Sequence, residues 1–431
     1  MHSILRANIF LAVIFCCLVT IARGAESSVP PGTVITMQNW QNYRDFMPEG
    51  MVTLFAGASF WKMPDGVRIE VGPTVIHPLP KGFLEATEKY GRQTKVVTSA
   101  DGVHNLVDYV AGQPFPDPSE PLKGWKILAN VWFRYLPHLI VGTPENMGVS
   151  CTEDRFGSIA CSKSIIVERR LRHNTDPAIP VDDPRMQGTE YSEWNMVEVP
   201  EQLKYSARLT IFFADLTQPQ DVYSFRPDLR RSFRLSAANR CGPIGNSDYT
   251  EDDVRFGFNG NITRFEAQFL RDQKILALIN RGSNGATYPA DYDMPLGWPK
   301  TNWGKWELRD VSVIDVRRLP AFASGYCYGK RIMYVDKYTN IPLWEDLYDT
   351  KMQLWKVNLL LPRAREVPGL GIQESTGSNI NLMWDVQNSH ASFFSTQDGP
   401  GKDWLLNEQV PVEYQDVTRF STPGGLNQIM R

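Results

Sequence analysis

Few residues in this sequence have the types and spacing that catalysis or metal binding requires. Adjacent acids occur at Asp252-Asp253 and Glu345-Asp346, but neighbouring residues of a strand point to opposite faces, so Glu345 and Asp346 cannot form a carboxylate dyad. No zinc-protease, P-loop, nucleophile-elbow or dinucleotide-binding motif occurs. The histidines are dispersed: His77, His104, His138, His173 and His390. The sequence therefore predicts no catalytic residues, no metal site and no cofactor.

Four cysteines follow the N-terminal apolar stretch, and an even number predicts disulfides in an exported protein. Cys151 and Cys161 lie close enough in sequence to close a short loop. Cys241 would then pair with Cys327, although four cysteines allow three connectivities. A metal site is disfavoured because there is no CxxC pair or neighbouring histidine.

Residues 1–24 have the pattern of a cleaved secretion signal. His2 and Arg6 precede an apolar stretch, which ends in a small-residue motif before Ala25. The formal net charge is −3, with 45 basic and 48 acidic residues. Because basic and acidic residues are mixed along the whole chain, nucleic acid is not expected as a partner. The sequence thus predicts an exported protein.

Short strand patterns separated by turn residues dominate from about residue 145 to 361, which favours a meandering antiparallel sheet over βαβ units. Residues 334–355 predict two successive hairpins. Helices are expected near residues 83–90 and along the apolar stripe 127–135. We expect one β-rich domain over residues 25–361 and a C-terminal extension, residues 362–431, packed on it with one strand near 381–386.

Aromatic residues are abundant, with 12 Trp, 16 Tyr and 21 Phe, and many fall in the predicted strands. They either fill a thick core or line an apolar cleft. Under the second interpretation, the candidate ligand-binding residues are Trp306, Tyr334, Trp344 and Trp355. Arg230 and Arg231 form a basic cluster after a turn, which either contacts an anionic group or is simply solvated.

Several segments together resemble the exported bacterial family DUF1329, which is related to the LolA/LolB-like outer-membrane lipoprotein-sorting proteins. The matching segments are NWQNYRDFMPEG, GQPFPDP before KILANVWFRY, DVYSFRPDLRRSFRL, KWELRDVSVIDV and GKRIMYVDKYTNIPLWEDLYDTKMQLWKV. The four cysteines, the segment MPLGWPKTNWG and the long tail depart from the family pattern.

The resemblance implies a mainly β (α+β) fold, in which a curved antiparallel sheet forms an incomplete β-barrel with helices across its concave face. Such an arrangement leaves an apolar hollow able to hold acyl chains. The resemblance also implies exported β-barrel proteins and transporters of the resistance-nodulation-division (RND) type as partners, and it supplies no catalytic residues.

The leading hypothesis is a non-enzymatic periplasmic protein of a Gram-negative bacterium that binds or transfers a hydrophobic ligand, lipid or lipoprotein at the outer membrane. The alternative is a docking protein without cargo, whose partner is an outer-membrane β-barrel protein or an RND-type transporter. An exported hydrolase would require a histidine and a carboxylate to converge near a Ser or Tyr.

Overall fold

A computed structural model describes residues 28–177, 179–236, 240–282, 284–373 and 379–430. The predicted signal segment, residues 1–24, lies outside the described residues. No helix in the described ranges has the length and apolarity to cross a membrane. The α-helices are α1 (Glu49–Ala56), α2 (Lys81–Tyr90), α3 (Lys123–Trp132), α4 (Val417–Ser421) and α5 (Pro423–Leu426).

Strands make up most of the remaining regular structure. They are β1 (Val34–Ile35), β2 (Ile69–Glu70), β3 (Lys95–Thr98), β4 (His104–Val107), β5 (Leu139–Gly142), β6 (Gly148–Asp154), β7 (Ile159–Arg170), β8 (Thr189–Val199), β9 (Ala207–Phe213), β10 (Asp221–Arg226), β11 (Arg231–Leu235), β12 (Phe265–Ala277), β13 (Tyr292–Asp293), β14 (Trp298–Pro299), β15 (Glu307–Arg318), β16 (Tyr328–Asp336), β17 (Pro342–Asp349), β18 (Leu354–Pro362), β19 (Arg365–Val367), β20 (Gly371–Gln373), β21 (Asn379–Asp385), β22 (His390–Ser395) and β23 (Leu405–Leu406).

One antiparallel sheet of 15 strands organises the described part of the chain. Its order is β11-β10-β9-β8-β7-β6-β22-β21-β18-β17-β16-β15-β12, with β5 beside β7 and β23 beside β5. Two meanders, β6 to β11 and β12 to β22, are joined where β22 pairs with β6. In the described residues the outermost strands of this order, β11 and β12, do not pair, so the sheet does not close into a barrel. The predicted mainly β, antiparallel fold is confirmed.

Both faces of the sheet are covered. We call one the tryptophan face, defined by the cross-strand neighbours Tyr334, Trp344, Leu359 and Leu382. It packs against the N-terminal segment with α1, and further along the sheet against α4. We call the other the charged face, defined by Arg331, Glu345, Lys356, Glu168 and Glu193, and α3 packs on it along β12 and β15. Helices therefore lie on both faces of the sheet.

Glycine allows α3 to lie directly against the sheet. A Cβ atom at Gly124 would clash with the backbone of β12 at Ala267 and Phe269. The apolar stripe of α3 then buries Trp125, Leu128 and other side chains. The helices predicted at residues 83–90 and 127–135 correspond to α2 and α3.

The C-terminal region contributes strands to the middle of the sheet. The strand predicted near residues 381–386 is β21, and β22 follows it, so both lie between β18 and β6. The sheet therefore continues across the predicted boundary at residue 361. The division into a domain of residues 25–361 and an extension of 362–431 stays a prediction.

Two disulfides link the four cysteines, in the predicted pairs. Cys151 and Cys161 lie opposite each other in β6 and β7. Cys241 is joined to Cys327, immediately before β16. The second bond ties the segment before β12 to the central strands.

We expect removal of the second disulfide to be the more destabilising. The sequence separations are 10 residues for Cys151–Cys161 and 86 for Cys241–Cys327. A disulfide lowers the entropy of the unfolded chain by an amount that grows with the logarithm of the length of the loop it closes. The losses of unfolding free energy caused by removing each disulfide should therefore differ by about 2 kcal/mol. Urea unfolding of the Cys151→Ser/Cys161→Ser and Cys241→Ser/Cys327→Ser variants measures this difference. Equal losses would contradict the expectation.

Candidate functional site

Four indole rings form a continuous row on the tryptophan face. Trp306 stacks on Trp298 with ring centroids 5.4 Å apart, and Trp298 stacks on Trp384 at 6.1 Å. Trp384 lies 6.5 Å from Trp344. All four side chains are buried in the cluster that also contains the apolar residues of α1. This row provides a flat apolar surface, which other side chains of the cluster cover in the structure.

Helix α1 contacts the sheet at β17 and β18, beside this row. Its Gly50 lies so close that a Cβ atom there would clash with the carboxylate of Asp346 and the side chain of Val357. The Gly50 amide donates to Asp346 Oδ1 at 3.0 Å. The next contact is made by Tyr334, whose hydroxyl accepts from the Glu49 amide at 3.1 Å. The N-terminus of α1 is therefore attached to the sheet through Asp346 and Tyr334.

Asp346 is an acid in an apolar environment. Its side chain is 0% exposed, and no cation forms an ion pair with it in the described ranges. It accepts hydrogen bonds from Trp344 Nε1 at 3.0 Å and from the Tyr334 hydroxyl at 3.3 Å. Burial raises the pKa of Asp346 to about 7, although the hydrogen bonds from Trp344, Gly50 and Tyr334 oppose this shift. Asp346 therefore changes charge near neutral pH.

The structure brings three of the four predicted aromatic residues together. Trp306, Tyr334 and Trp344 belong to one buried cluster on the tryptophan face. In the structure they are core residues without contact to solvent. Trp355 is half-buried and packs instead near Tyr328, because a bulge in β17–β18 displaces it, and its Nε1 donates to Asp385. A ligand-binding role for these residues stays a prediction.

Ion pairs and hydrogen bonds are concentrated around Arg331 on the charged face. Arg331 donates to Asp253 Oδ1 at 2.6 Å and to Glu345 Oε1 at 3.1 Å. Asn358 donates to the other oxygen of Glu345 at 2.9 Å. Burial raises the pKa of Glu345 to about 7 despite the opposing effect of Arg331. These side chains fill this part of the face with ion pairs and hydrogen bonds, not with apolar surface.

A second acidic group lies on the charged face in the other meander. Glu168 and Glu193 are cross-strand neighbours in β7 and β8, and the Tyr191 hydroxyl donates to Glu168 at 2.9 Å. Burial and then the charge of Glu168 raise the pKa of Glu193 to about 8. We expect the two carboxylates to hold a proton at neutral pH.

The histidines do not form a nucleophile relay in the described part of the chain. His390 Nδ1 and Ser392 Oγ each lie 2.7 Å from the same oxygen of Asp248, whereas a relay requires the serine to contact the imidazole. His138 and His173 also contact carboxylates, those of Asp176 and Glu190 respectively. No group of three or more His, Cys, Asp or Glu side chains in the described residues could hold a metal ion.

The predicted basic pair, Arg230 and Arg231, lies at the turn between β10 and β11. These strands are at one edge of the sheet, several strands away from the indole row. Arg230 occupies the left-handed region at φ 49°, and both arginines are exposed. Arg231 lies over the Phe233 ring at 4.4 Å. Contact of Arg230 and Arg231 with an anionic group stays a prediction.

Residues 34–423 match the model of a protein family described as "Protein of unknown function (DUF1329)". The chain belongs to the DUF1329 family. No curated protein matches it.

Solved structures with a similar arrangement share little sequence with this DUF1329 protein. A putative outer membrane lipoprotein-sorting protein domain from Vibrio parahaemolyticus is 13% identical, covers 70% of this chain and 99% of its own, and gives a TM-score of 0.46. A DUF1329 family protein from Desulfovibrio piger is 11% identical, with 70% and 100% coverage and a TM-score of 0.46. The LolA superfamily protein NE2245 from Nitrosomonas europaea is 13% identical, with 66% and 92% coverage and a TM-score of 0.36.

Sequence reasoning missed the role of Asp346. The available signal was an acidic pair inside the apolar run of residues 341–348, where a buried strand face must accept at least one acid. The alternation of side chains along a strand correctly places Glu345 and Asp346 on opposite faces of the sheet. It does not show which of the two faces is covered by α1. Gly50 gave no signal because it reads as a helix stop after Pro48.

We expect Asp346 to make folding less favourable as pH rises from about 4 to about 7. In this window the unfolded carboxyl has released its proton while the folded one retains it, so the native state binds more protons. Above pH 7 the free energy of unfolding should be lower by at most about 4 kcal/mol. This value follows from the raised pKa at about 1.4 kcal/mol per pKa unit. Urea unfolding from pH 4.5 to 8 should show that Asp346→Asn lacks this component.

The control is Asp310→Asn, which changes an exposed acid on β15. Its stability should follow the wild-type pH curve. Parallel curves for Asp346→Asn and wild type would mean that Asp346 titrates as it does in the unfolded chain, and the expectation would be wrong.

Proposed function

We propose that this DUF1329 protein is a periplasmic, non-enzymatic carrier that binds a hydrophobic molecule of the cell envelope, a lipid or the lipid-bearing part of a lipoprotein, beneath α1. The observation that carries the proposal is the buried, unpaired Asp346 at the contact between α1 and the indole row. An acid buried without a cation is costly, and such groups are concentrated at functional sites.

Displacement of α1 would expose the row ending at Trp344 and would hydrate Asp346. Because hydration lowers the pKa of a buried carboxyl, the displaced state releases a proton. Higher pH therefore favours displacement of α1 from the sheet. The cargo then covers the indole rings in place of the apolar side chains of α1. The short length of α1, eight residues, keeps the contact that must be broken small.

Two further observations support this setting. The disulfides Cys151–Cys161 and Cys241–Cys327 are typical of an oxidising compartment such as the periplasm. Around Arg331, the polar side chains of the charged face are engaged with one another, whereas the tryptophan face beneath α1 offers the stacked indole rings.

We expect cargo uptake to rise between pH 6 and pH 8 and to depend on Asp346. The mature protein is incubated with an envelope lipid extract and analysed by native mass spectrometry. Asp346→Asn, which keeps a hydrogen-bond acceptor but cannot ionise, should show less uptake and no pH dependence. Asp310→Asn should behave as wild type.

The same samples measure amide hydrogen exchange in α1. Exchange that rises with pH beyond the intrinsic chemical rate, in wild type but not in Asp346→Asn, would agree with displacement of the helix. The absence of any lipid adduct at both pH values, with α1 fully protected, would rule out the carrier.

The second candidate function is docking on an envelope assembly without cargo. Four turns favour it, and we call them the turn rim: residues 155–158, 200–206, 227–230 and 350–353. Alternate turns of an antiparallel meander lie at the same end of the sheet, and the pairing of His390 with Asp154 aligns the two meanders. The four turns therefore lie at one end.

Each turn of the rim carries a large exposed apolar side chain next to a cation. The pairs are Arg155 with Phe156, Leu203 with Lys204, Leu229 with Arg230, and Lys351 with Met352. Phe156 is 79% exposed and Leu229 is 53% exposed. Apolar and arginine side chains together form the energetic centre of many protein interfaces.

The acids of these turns are engaged in local contacts. Asp154 accepts from the amides of Phe156 and Ser158, and Asp349 accepts from the amides of Lys351 and Gln353. Lys204 pairs with Glu198 and Glu201. The other three cations, Arg155, Arg230 and Lys351, are exposed and form no ion pair in the described residues, which suits a membrane-embedded partner surrounded by anionic head groups. We propose an outer-membrane β-barrel protein or an RND-type transporter as this partner.

Docking through the rim predicts that Phe156→Ser/Leu229→Ser weakens binding to envelope membranes by at least about tenfold, since burial of one large apolar side chain contributes about 1.5–3 kcal/mol. Co-sedimentation measures this loss. Val412→Ser, which changes a residue with the same 79% exposure outside the rim, is the matched control. Equal binding to protein-free lipid vesicles, or no effect of the double substitution, would exclude a protein partner at the rim.

A further inference from the structure

A cavity of about 430 Å³ lies at the end of the sheet opposite the turn rim. It is bounded by the last residues of β7, the first residue of β5, the loop after β7 and the C-terminal segment 407–415. β7 begins at Ile159 beside the rim and ends at Arg170 beside the cavity, so the length of that strand separates the two. The cavity is also distinct from the indole row beneath α1.

Arg169 is the feature that makes this cavity unusual. Its side chain lines the cavity, yet the residue is only 5% exposed. Its Nη2 donates to the backbone oxygen of Tyr414 at 2.8 Å, and its Nε has no hydrogen-bond partner. No carboxylate in the described residues lies within ion-pair distance of it. A buried guanidinium normally has an anionic partner, because removing it from water is costly.

The neighbouring acids are committed elsewhere. Asp183 binds Arg185 through three contacts of 2.6–3.2 Å. Asp416 accepts from the amides at the start of α4. Burial lowers the pKa of Arg169 to about 10, and the charge of Arg185 acts in the same direction, but Arg169 remains a cation at neutral pH.

Other polar residues line the same cavity. They include Arg170, which lies 4.0 Å from Glu190, the paired Asp183 and Arg185, and Asn174. Glu408 also lines the cavity, but it is exposed to solvent. Leu139 and Ile179 contribute apolar wall. The cavity thus combines a buried positive charge with apolar surface.

We propose that this cavity binds an oxyanion, a carboxylate or phosphate group, on the guanidinium of Arg169, with an attached apolar portion against Leu139 and Ile179. The guanidinium is a cation with several N–H donors, and in the described residues Nη1 has no hydrogen-bond partner, so it is the nitrogen left to donate to such a group. The site binds its ligand without covalent chemistry. It does not require displacement of α1, so it stands whether or not the protein is a carrier.

The test uses the mature protein and three probes: inorganic phosphate, hexanoate, and vesicles of phosphatidylglycerol in phosphatidylcholine. Isothermal titration to about 10 mM should detect binding of at least one probe by the wild-type protein. Arg169→Met, which keeps the aliphatic stem, should weaken that binding at least tenfold. Arg68→Met, which changes an exposed arginine outside the cavity, should leave it unchanged.

The probes also identify the source of the oxyanion. Binding of phosphate or hexanoate indicates a free small molecule, whereas Arg169-dependent binding of the anionic vesicles alone indicates a lipid head group. Both results support the site. If Arg169→Met does not fold, Arg169→Lys retains the charge but lacks the planar fork, and it should still bind at least tenfold more weakly. Failure of all three probes to bind wild type, or equal binding by the Arg169 variants, would overturn the proposal.

Discussion

A single sheet that is buried on both faces makes the cost of removing charge from water a constraint on every charged side chain in its strands. An acid or a base in a strand of such a sheet cannot turn to solvent and must find a partner. The segment before β12 meets this need by bringing Asp252 to Arg318 and Asp253 to Arg331. Without these carboxylates, Arg318 would have no ion-pair partner in the described residues and Arg331 would keep only Glu345. Removal of one partner from a buried pair is strongly destabilising.

Two of the buried charged residues that lack an ion-pair partner lie at the candidate sites. Asp346 is buried without a cation on the tryptophan face, and Arg169 is buried without an anion at the far end of β7. These two residues have opposite charge and different surroundings. Asp346 lies under a short helix beside stacked indoles, which suits a proton-linked opening, whereas Arg169 faces an existing cavity, which suits direct binding. Native sequences keep such groups where function outweighs stability.

Local pattern in the sequence was sufficient for much of the fold. The runs ending at Tyr334, Trp344 and Trp355 are separated by polar turns, so the hairpins of β16, β17 and β18 were predictable. The position of β22 beside β6 was not, because pairing between distant segments leaves no local signal. Sequence also could not place Trp355, which a bulge displaces, or reveal that Asp346 lacks a cation, since both depend on which segments cover the sheet.

The seam between β22 and β6 has a consequence for how the chain folds. β6 belongs to the meander that is complete early in the chain, whereas β22 is among the last strands, so its edge has no permanent partner until nearly the whole chain is present. Contacts between segments so distant in sequence form slowly, and an open strand edge is a template for aggregation in the meantime. While the chain folds, the exposed edge of β6, and not the finished sheet, is therefore the part most open to aggregation.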